Sequence, residues 1–378
     1  IAIYSEADQD ALHVRLADDA FHIGKATPED SYLNHERILE TAIRCQADAI
    51  HPGYGFLAEN DVFAEACLSK GIHFIGPRPE SIREMGSKSR AKQLMQEAGV
   101  PVVPGYHGDK QDFKILRNEA EKIGFPLLIK PVAGGGGRGM RVVRQLNELE
   151  EALTLSRSEA KNAFGDDNVL LERFIEGPRH VEFQIFGDQH GNFVHLHERE
   201  CSIQRRHQKI LEESPSPFLD ETLRKQMAEA SLKAANAVQY LGAGTVEFIV
   251  GEDRSFYFIE MNTRLQVEHP VTEMRTGLDL VEWQIRVASG EKLPLDQDQI
   301  RPKGHSIEVR VCAENPERGF LPSSGLLELY DFPEDPSASG SSLIRIDSGF
   351  EQKDRVGIHY DSMLAKLIVH GEDREKAL

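Results

Sequence analysis

KPVAGGGGRGM, residues 130–140, sets four consecutive glycines between a lysine and an arginine. Glycine costs roughly 0.5–1 kcal/mol relative to alanine inside a regular element, so the run belongs to neither helix nor strand. It offers a bare backbone in which φ > 0 is open and N–H groups can approach an anion closely. The run lies between two strand-like stretches, PLLIKPV and MRVV, with Lys130 closing the first and Arg138 inside the turn. It is neither a phosphate loop ending GK[ST] nor a GxGxxG dinucleotide turn. The pattern reads as a strand-loop-strand flap that closes over nucleotide phosphates while Lys130 supplies charge; the alternative is an unliganded hairpin tip.

Composition narrows what such a flap can serve. The chain has 378 residues, 40% hydrophobic and 28% charged, enough core for two or three globular domains. Its net charge of -18 repels polyphosphate backbones, which argues against a nucleic-acid partner. No apolar run approaches the roughly 18 residues of a membrane span. Cys45, Cys67, Cys201 and Cys312 lie far apart without a CxxC pair, so they read as reduced thiols rather than a disulfide framework or zinc site. Ile1 falls inside a strand pattern and Leu378 inside a helical one, so trimming at both ends is expected.

Residues 1–102 alternate strand and helix signals, from IAIYSEAD through HERILETAIRCQ, DAIHP and NDVFAEACLSKG to IHFIGP, the rhythm of a parallel α/β sheet. YSEAD resembles the end of a dinucleotide-site strand with Asp8 on a ribose, but no GxGxxG precedes it. Pro101 and Pro104 mark a boundary. Residues 103–175 form a compact unit around the glycine loop, with helices near Phe113–Ile123 and Leu149–Ala163 and a last strand NVLLERFI. Residues 176–378 begin with RHVEFQIFGDQHGNFVHLHE, two strands joined by the turn DQHGN, and antiparallel signals dominate from there. There is no internal repeat; SASGSS near 337–342 is a short loop.

Three further stretches carry chemistry. In GTVEFIVGEDRSFYFIEMNTR, counting outward from between Asp253 and Arg254 sets Glu247 opposite Glu260. Directly opposed Cβ atoms are about 5 Å apart and like charges there repel. A divalent cation removes the repulsion, and Asn262 on the same face adds a neutral oxygen, which suggests magnesium carried on ATP. A slipped register with one glutamate merely solvated is the alternative. In CSIQRRHQKILEESPSP, Arg205, Arg206, His207 and Lys209 crowd together; they form an anion pocket, with His207 and Lys209 on one side if the segment is a strand, or a solvated face. In NTRLQVEHPVTE, the alternation of Arg264, Gln266 and Glu268 presents all three to one side of an extended segment that His269 and Pro270 then end. A guanidinium, an amide and a carboxylate suit a small planar oxyanion that must also lose a proton. His195 and His197 could imitate a metal pair, but no third ligand stands at a suitable spacing.

HPGYGFLAEN, KPVAGGGGRGM, RHVEFQIFGD, ECSIQRRHQK, EMNTRLQVEHPVTE and HYDSMLAKL together resemble the biotin carboxylases of the ATP-grasp superfamily, in family order and over essentially the whole chain. GYHG, GAGTVEFI and TGLDLVEWQ look most like the biotin-containing subunits of acyl-CoA carboxylases, of 3-methylcrotonyl-CoA or propionyl-CoA type. The resemblance implies an α/β and α+β fold: a pre-ATP-grasp (Rossmann-like) N-terminal domain over 1–102, a mobile lid over 103–175 and a C-terminal ATP-grasp domain over 176–378.

It also implies roles. Lys88, Lys130 and the loop glycines Gly135, Gly136 and Gly137 contact the nucleotide, Glu172 and Ile175 form an adenine hinge, and His180, Gln204 and His207 add contacts. Glu247, Glu260 and Asn262 surround magnesium or manganese. Lys209, Arg264, Gln266 and Val267 line a bicarbonate pocket, Glu268 is the base, and Arg310 in EVRVCAE faces the biotin ureido oxygen. The implied reaction deprotonates bicarbonate at Glu268, passes through carboxyphosphate, and carboxylates a biotin anion stabilised by Arg310. No MKM-like biotinylation sequence is present, so biotin is expected on a separate carrier domain, with a carboxyltransferase as second partner, a homo-oligomeric full-length form, and a cytoplasmic or, in a eukaryote, mitochondrial-matrix location. Relative to the family, the first strand with its glycine turn is missing before Ile1 and the last helix is cut at Leu378. Another ATP-grasp ligase, a different biotin-dependent carboxylase acting on acetyl-CoA or pyruvate, or a silent nucleotide-binding subunit are the competing readings.

Overall fold

A computed structural model describes residues 1–133, 139–206, 208–332 and 342–378. Gly135, Gly136, Gly137, Arg138 and His207, and most of the SASGSS stretch, lie outside the described residues. No helix of the described residues is long and apolar enough to cross a membrane.

The first stretch holds two short parallel pairs, Ala2–Ser5 with Ala20–Gly24 and Ala49–Ile50 with His73–Phe74. Helices His35–Arg44 and Asp61–Ser69 start where Asn34 and Asn60 accept hydrogen bonds from the backbone N–H of Arg37 and Phe63 at 3.0 and 2.7 Å, satisfying donors that a helix N-terminus leaves open. Ile23, Ile38, Phe63 and Phe74 close the core between them. Asp8 accepts from the Tyr32 hydroxyl at 2.5 Å. Helix Lys88–Glu97 follows, capped by Ser87.

The strands that flank the glycine run belong to an antiparallel four-stranded sheet ordered Gly105–Tyr106, Val169–Arg173, Leu127–Pro131, Arg141–Val143. Helices Phe113–Ile123 and Leu149–Phe164 cover one face through Leu116, Leu127, Ile129, Leu153 and Val169. Because strand side chains alternate, burying Leu127 and Ile129 turns Lys130 to the open face.

The largest element is an antiparallel sheet of eight strands, in the spatial order Phe256–Asn262, Gly242–Val250, Arg179–Gly187, Phe193–Arg205, Gln208–Ser214, His305–Cys312, Met363–Gly371, Leu343–Ser348. Val181, Phe183 and Ile185 alternate with His180, Glu182 and Gln184, and Val246 and Phe248 alternate with Thr245 and Glu247. The apolar set packs on helix Glu221–Ala237 through Met227, Ala230 and Ala234. The polar set is therefore left on the opposite face. There Glu260, Glu247, Glu182 and Arg199 are paired strand to strand in one row across four strands. The turn DQHGN is held by Asp188, which accepts from the N–H of His190 and Asn192 at 2.8 and 3.0 Å, while Gly191 takes φ +83°.

Two sequence expectations about local structure fail. The basic run is a hairpin rather than one strand: Gln204 pairs with Lys209 and Arg205 with Gln208, Arg206 taking φ +52° at the turn. Arg205 then leaves the site, pairing with Glu314 and stacking over Phe320 with its guanidinium 4.2 Å from the ring centre. Arg264 to Glu268 is a loop, and His269 and Pro270 begin helix His269–Thr276 rather than end a strand. Proline is favoured in a first helical turn, where its missing N–H costs nothing, so the same residue that stops a strand starts this helix.

Phe183 is fully buried between the sheet and helix Glu221–Ala237. Phe183→Ala is expected to lower stability by about 3–5 kcal/mol, read as a shift of the urea unfolding midpoint; a loss below about 1 kcal/mol, the range of volume-conserving swaps, contradicts this packing.

Candidate active site

The row of paired residues brings three carboxylates side by side, Glu247 and Glu182 buried and Glu260 exposed at the edge, and the buried pair cannot persist without cations. Two are supplied. Arg199, fully buried, donates its Nε to Glu182 at 2.6 Å and its other nitrogens to Gln184, Thr272, Thr245 and Gln266 at 2.8–3.2 Å. Lys209, reaching across from the next strand, donates to Glu182, to Glu247 at 2.9 Å and to Glu268 at 2.7 Å. All three ammonium protons are thereby engaged.

Glu247 is the most heavily contacted of the acids. Its Oε1 accepts from Lys209, from Asn262 Nδ2 at 2.7 Å and from Gln266 Nε2 at 2.9 Å, and its Oε2 from His180 Nε2 at 2.7 Å. The Gln204 amide lies 3.0 Å from the other His180 nitrogen, so Gln204 fixes the ring and the ring fixes Glu247. Burial raises the Glu247 pKa, but the charges of Lys209 and His180 outweigh it and hold the carboxyl well below its usual range. Glu260, at the edge of the row, is pushed up by burial and then by Glu247 itself. Hard oxygen donors with this unrelieved repulsion fit a divalent cation shared by Glu247 and Glu260. Asn262 fits less directly, since its Oδ1 accepts from Arg264 at 3.1 Å.

Glu268 opens helix His269–Thr276 and projects into the same layer, 2% exposed. Burial raises its pKa, but Lys209, Arg199 and Arg310 together hold it well below the carboxylate range. The Arg310 Nη2 lies 3.1 Å from Glu268 and 3.1 Å from Glu212. Gln266 joins this cluster, whereas Arg264 turns to Glu59, donating its Nε at 2.9 Å. The expected alternation therefore does not put all three side chains on one side; among the described residues Arg264 reaches the cluster through Asn262. The Val267 carbonyl accepts from Lys366 Nζ at 2.8 Å.

On the glycine-loop side, Lys130 donates to Glu172 at 2.6 Å, and Lys92 of the preceding helix pairs with the same carboxylate. Glu172 is thus turned inward onto two lysines, and Ile175 lies just beyond its strand, half-buried. Lys88 lines a cavity of about 210 Å³ together with Glu59, Glu260 and Asn262, so a cation and the acid row face one space. His195 and His197 stack with ring centres 5.0 Å apart, and among the described residues they join no metal-binding group.

Glu182, Arg199, Lys92, Glu59 and Glu212 were not anticipated. One signal was available: HVEFQIF sets His, Glu and Gln on one face of a strand whose other face is Val, Phe and Ile, too polar a face to be merely buried. The partners in the row come from distant strands, which spacing along the chain does not reveal.

Comparison with known proteins is consistent over the whole length. Residues 1–82 match the biotin carboxylase N-terminal domain, 87–296 the ATP-binding domain of the carbamoyl-phosphate synthase L chain, and 308–378 the biotin carboxylase C-terminal domain. The chain is 54% identical over 378 residues to the mitochondrial methylcrotonoyl-CoA carboxylase subunit alpha of Dictyostelium discoideum, covering 100% of this chain and 53% of that protein. It thus spans about half the length of such relatives. It is 51% identical to the biotin carboxylase of a Nostoc strain, covering 83% of it. Among solved structures, a biotin carboxylase–ATP-analogue complex from Campylobacter jejuni aligns at TM-score 0.93 with 49% identity over 99% of this chain and 82% of that one. The biotin carboxylase domain of a Hydrogenobacter thermophilus 2-oxoglutarate carboxylase, in complex with MgADP, ADP and bicarbonate, aligns at 0.92 with 49% identity, over 99% and 81%.

The three acids around Lys209 generate a stability prediction. Glu247 and Glu268 are held below their ordinary range, so their pairing contributes stability above the unfolded carboxylate pKa of about 4.3 and loses it as pH falls toward the folded values. Lys209→Met leaves those buried acids without the cation they share, an expected cost of about 3–5 kcal/mol at neutral pH. The deficit should shrink at about pH 5 and below, where the unpaired acids take up protons. Urea unfolding at both pH values checks this, and an equal deficit at each contradicts it.

Proposed function

The chain belongs to the biotin carboxylase family of ATP-grasp enzymes, and on that premise we propose that it catalyses the ATP-dependent carboxylation of carrier-bound biotin with bicarbonate. The observation that carries this is the convergence of Lys209, Arg310 and Glu268 in one buried cluster beside Glu247 and Glu260. Two cations and a base next to a hard-oxygen pair are what a small oxyanion and a nucleotide phosphate require together.

Lys88, Lys130 and the loop glycines Gly135, Gly136 and Gly137 take the phosphates, and Ile175 borders the base with Glu172 behind it. His180, Gln204 and His207 complete the nucleotide contacts, the first two by keeping Glu247 in place. Glu247 and Glu260, with Asn262 beside them, would hold magnesium or manganese, whose charge offsets that of the nucleotide phosphates. Lys209, Arg264, Gln266 and the Val267 backbone receive bicarbonate, Glu268 takes its proton, and Arg310 meets the biotin ureido oxygen.

A carboxylate held as acidic as Glu268 is a weak base, and the geometry offers the remedy. Lys209 and Arg310, two of the cations that depress it, are the groups proposed to receive the anions. Bicarbonate therefore competes with Glu268 for them, and each contact it wins returns basicity to the carboxylate. Arg264, now on Glu59, is drawn in the same way. The division at 1–102, 103–175 and 176–378, with the middle unit as lid, belongs to this proposal.

The relatives that the chain half-spans support a finer reading: the biotin carboxylase part of a methylcrotonoyl-CoA carboxylase alpha subunit, working with a biotinyl carrier domain and a carboxyltransferase subunit as a homo-oligomer, in the mitochondrial matrix in a eukaryote.

The full-length protein should cleave ATP in a bicarbonate-dependent manner. Glu268→Gln should lose both ADP release and carboxybiotin by about 10²–10⁴-fold, the usual range for a general base. Arg310→Gln should lose carboxybiotin more than ADP release. Turnover that is equal with and without bicarbonate contradicts the function, and equal loss of both products in Arg310→Gln contradicts the order of the two residues.

A further inference from the structure

Behind Arg310 lies a pair of acids that the reaction above does not use. Glu212 and Glu308 are directly opposed on neighbouring antiparallel strands, and both are fully buried. Opposed residues share a face with Cβ atoms about 5 Å apart. Glu212 Oε1 accepts from Arg310, whose Nε is 3.2 Å and Nη2 3.1 Å away. Glu212 Oε2 and both Glu308 oxygens have no hydrogen-bond partner among the described residues. Three buried carboxylate oxygens without a protein donor among the described residues demand an explanation, because a buried acceptor normally finds a partner.

The surrounding charges do not provide one. Lys366, from the strand Met363–Gly371, is the cation facing Glu308, and it is already engaged by the Val267 carbonyl at 2.8 Å and by Asp347 at 3.2 Å. Arg310 lies on the strand of Glu308 and is shared between Glu212 and Glu268. Glu268 faces the pair from the start of helix His269–Thr276, while Lys209 acts on Glu212 from its own strand and Glu182 from two strands away. Two ionised acids side by side here are opposed by one shared guanidinium and by two ammonium groups, Lys366 and Lys209, that are already engaged by other acceptors.

We propose that Glu212 and Glu308 hold a single proton between them and serve as positioning residues for Arg310, the retained proton limiting the negative charge behind the guanidinium so that it stays turned toward Glu268. The shared proton rests on the packing alone; its consequence for carboxylation rests on the biotin carboxylase reading. Burial pushes Glu308 well above the usual carboxylate range. Burial likewise lifts Glu212 to about 7, against the Arg310 charge and with a contribution from Glu268. Folded-state values raised in this way mean that the proton is present at low and neutral pH and leaves as pH rises. Its departure doubles the charge behind Arg310 and draws the guanidinium away from the pocket.

The test uses the full-length protein. Infrared spectra should show the carbonyl stretch of a protonated carboxylic acid that fades as pH rises above neutrality, and the wild-type minus Glu308→Gln difference should contain that band. Because glutamine is permanently neutral, Glu308→Gln should keep carboxybiotin formed per ADP released at alkaline pH, where the wild type declines. Should Glu308→Gln not fold, the titration of the band in the wild type and in Glu212→Gln decides the matter. A wild type without the acid band overturns the shared proton, and superimposable pH profiles for wild type and Glu308→Gln overturn the positioning role. Wild-type ATP cleavage that ignores bicarbonate sinks the enzymatic reading instead and leaves the infrared result standing.

Discussion

Everything in the site hangs on the pairing of Glu182 with both Arg199 and Lys209 at the centre of the charged row. The sheet puts Glu260, Glu247 and Glu182 next to one another, an arrangement that electrostatics opposes and that backbone register imposes. Two cations make it tolerable, and the way they do so is the design. Arg199 is saturated by five acceptors and fixed. Lys209 is shared among three acids and remains redistributable. A buried network of this kind contributes little net stability; what it provides is a set of charges already desolvated and oriented before any substrate arrives.

The fold was largely legible because its signals are local. The alternation in HVEFQIF, the turn DQHGN, and the glycine run between two strands each depend on neighbours along the chain. The opposition of Glu247 and Glu260 was reached by a count that is right for an incomplete reason. Near the turn Phe248 faces Phe258 and Val250 faces Phe256, one residue out of the symmetric register, and a bulge at Ile259 restores the pairing at Glu247. A bulge leaves no clear trace in composition, so spacing alone could have failed here.

What stayed hidden is what requires the third dimension. Arg199 and Glu182 are unremarkable letters until the register pairs them. Glu59 meets Arg264 across 205 positions, and Glu212 meets Glu308 only because two strands distant in sequence are adjacent in the sheet. The misread segments have the same origin. Proline at 270 and a positive φ at Arg206 each admit two local structures, and packing selects between them.

The most direct test of the account is Glu182→Gln, since Glu182 is neither metal ligand nor base in it and acts only by holding Arg199 and Lys209. With folding confirmed by thermal unfolding, the predicted result is nucleotide binding near the wild-type level with kcat/KM for bicarbonate lowered about 10- to 100-fold, the usual effect of removing an outer partner that orients a reacting group. Unchanged bicarbonate kinetics in a folded Glu182→Gln protein would contradict the claim that this charged row organises the site.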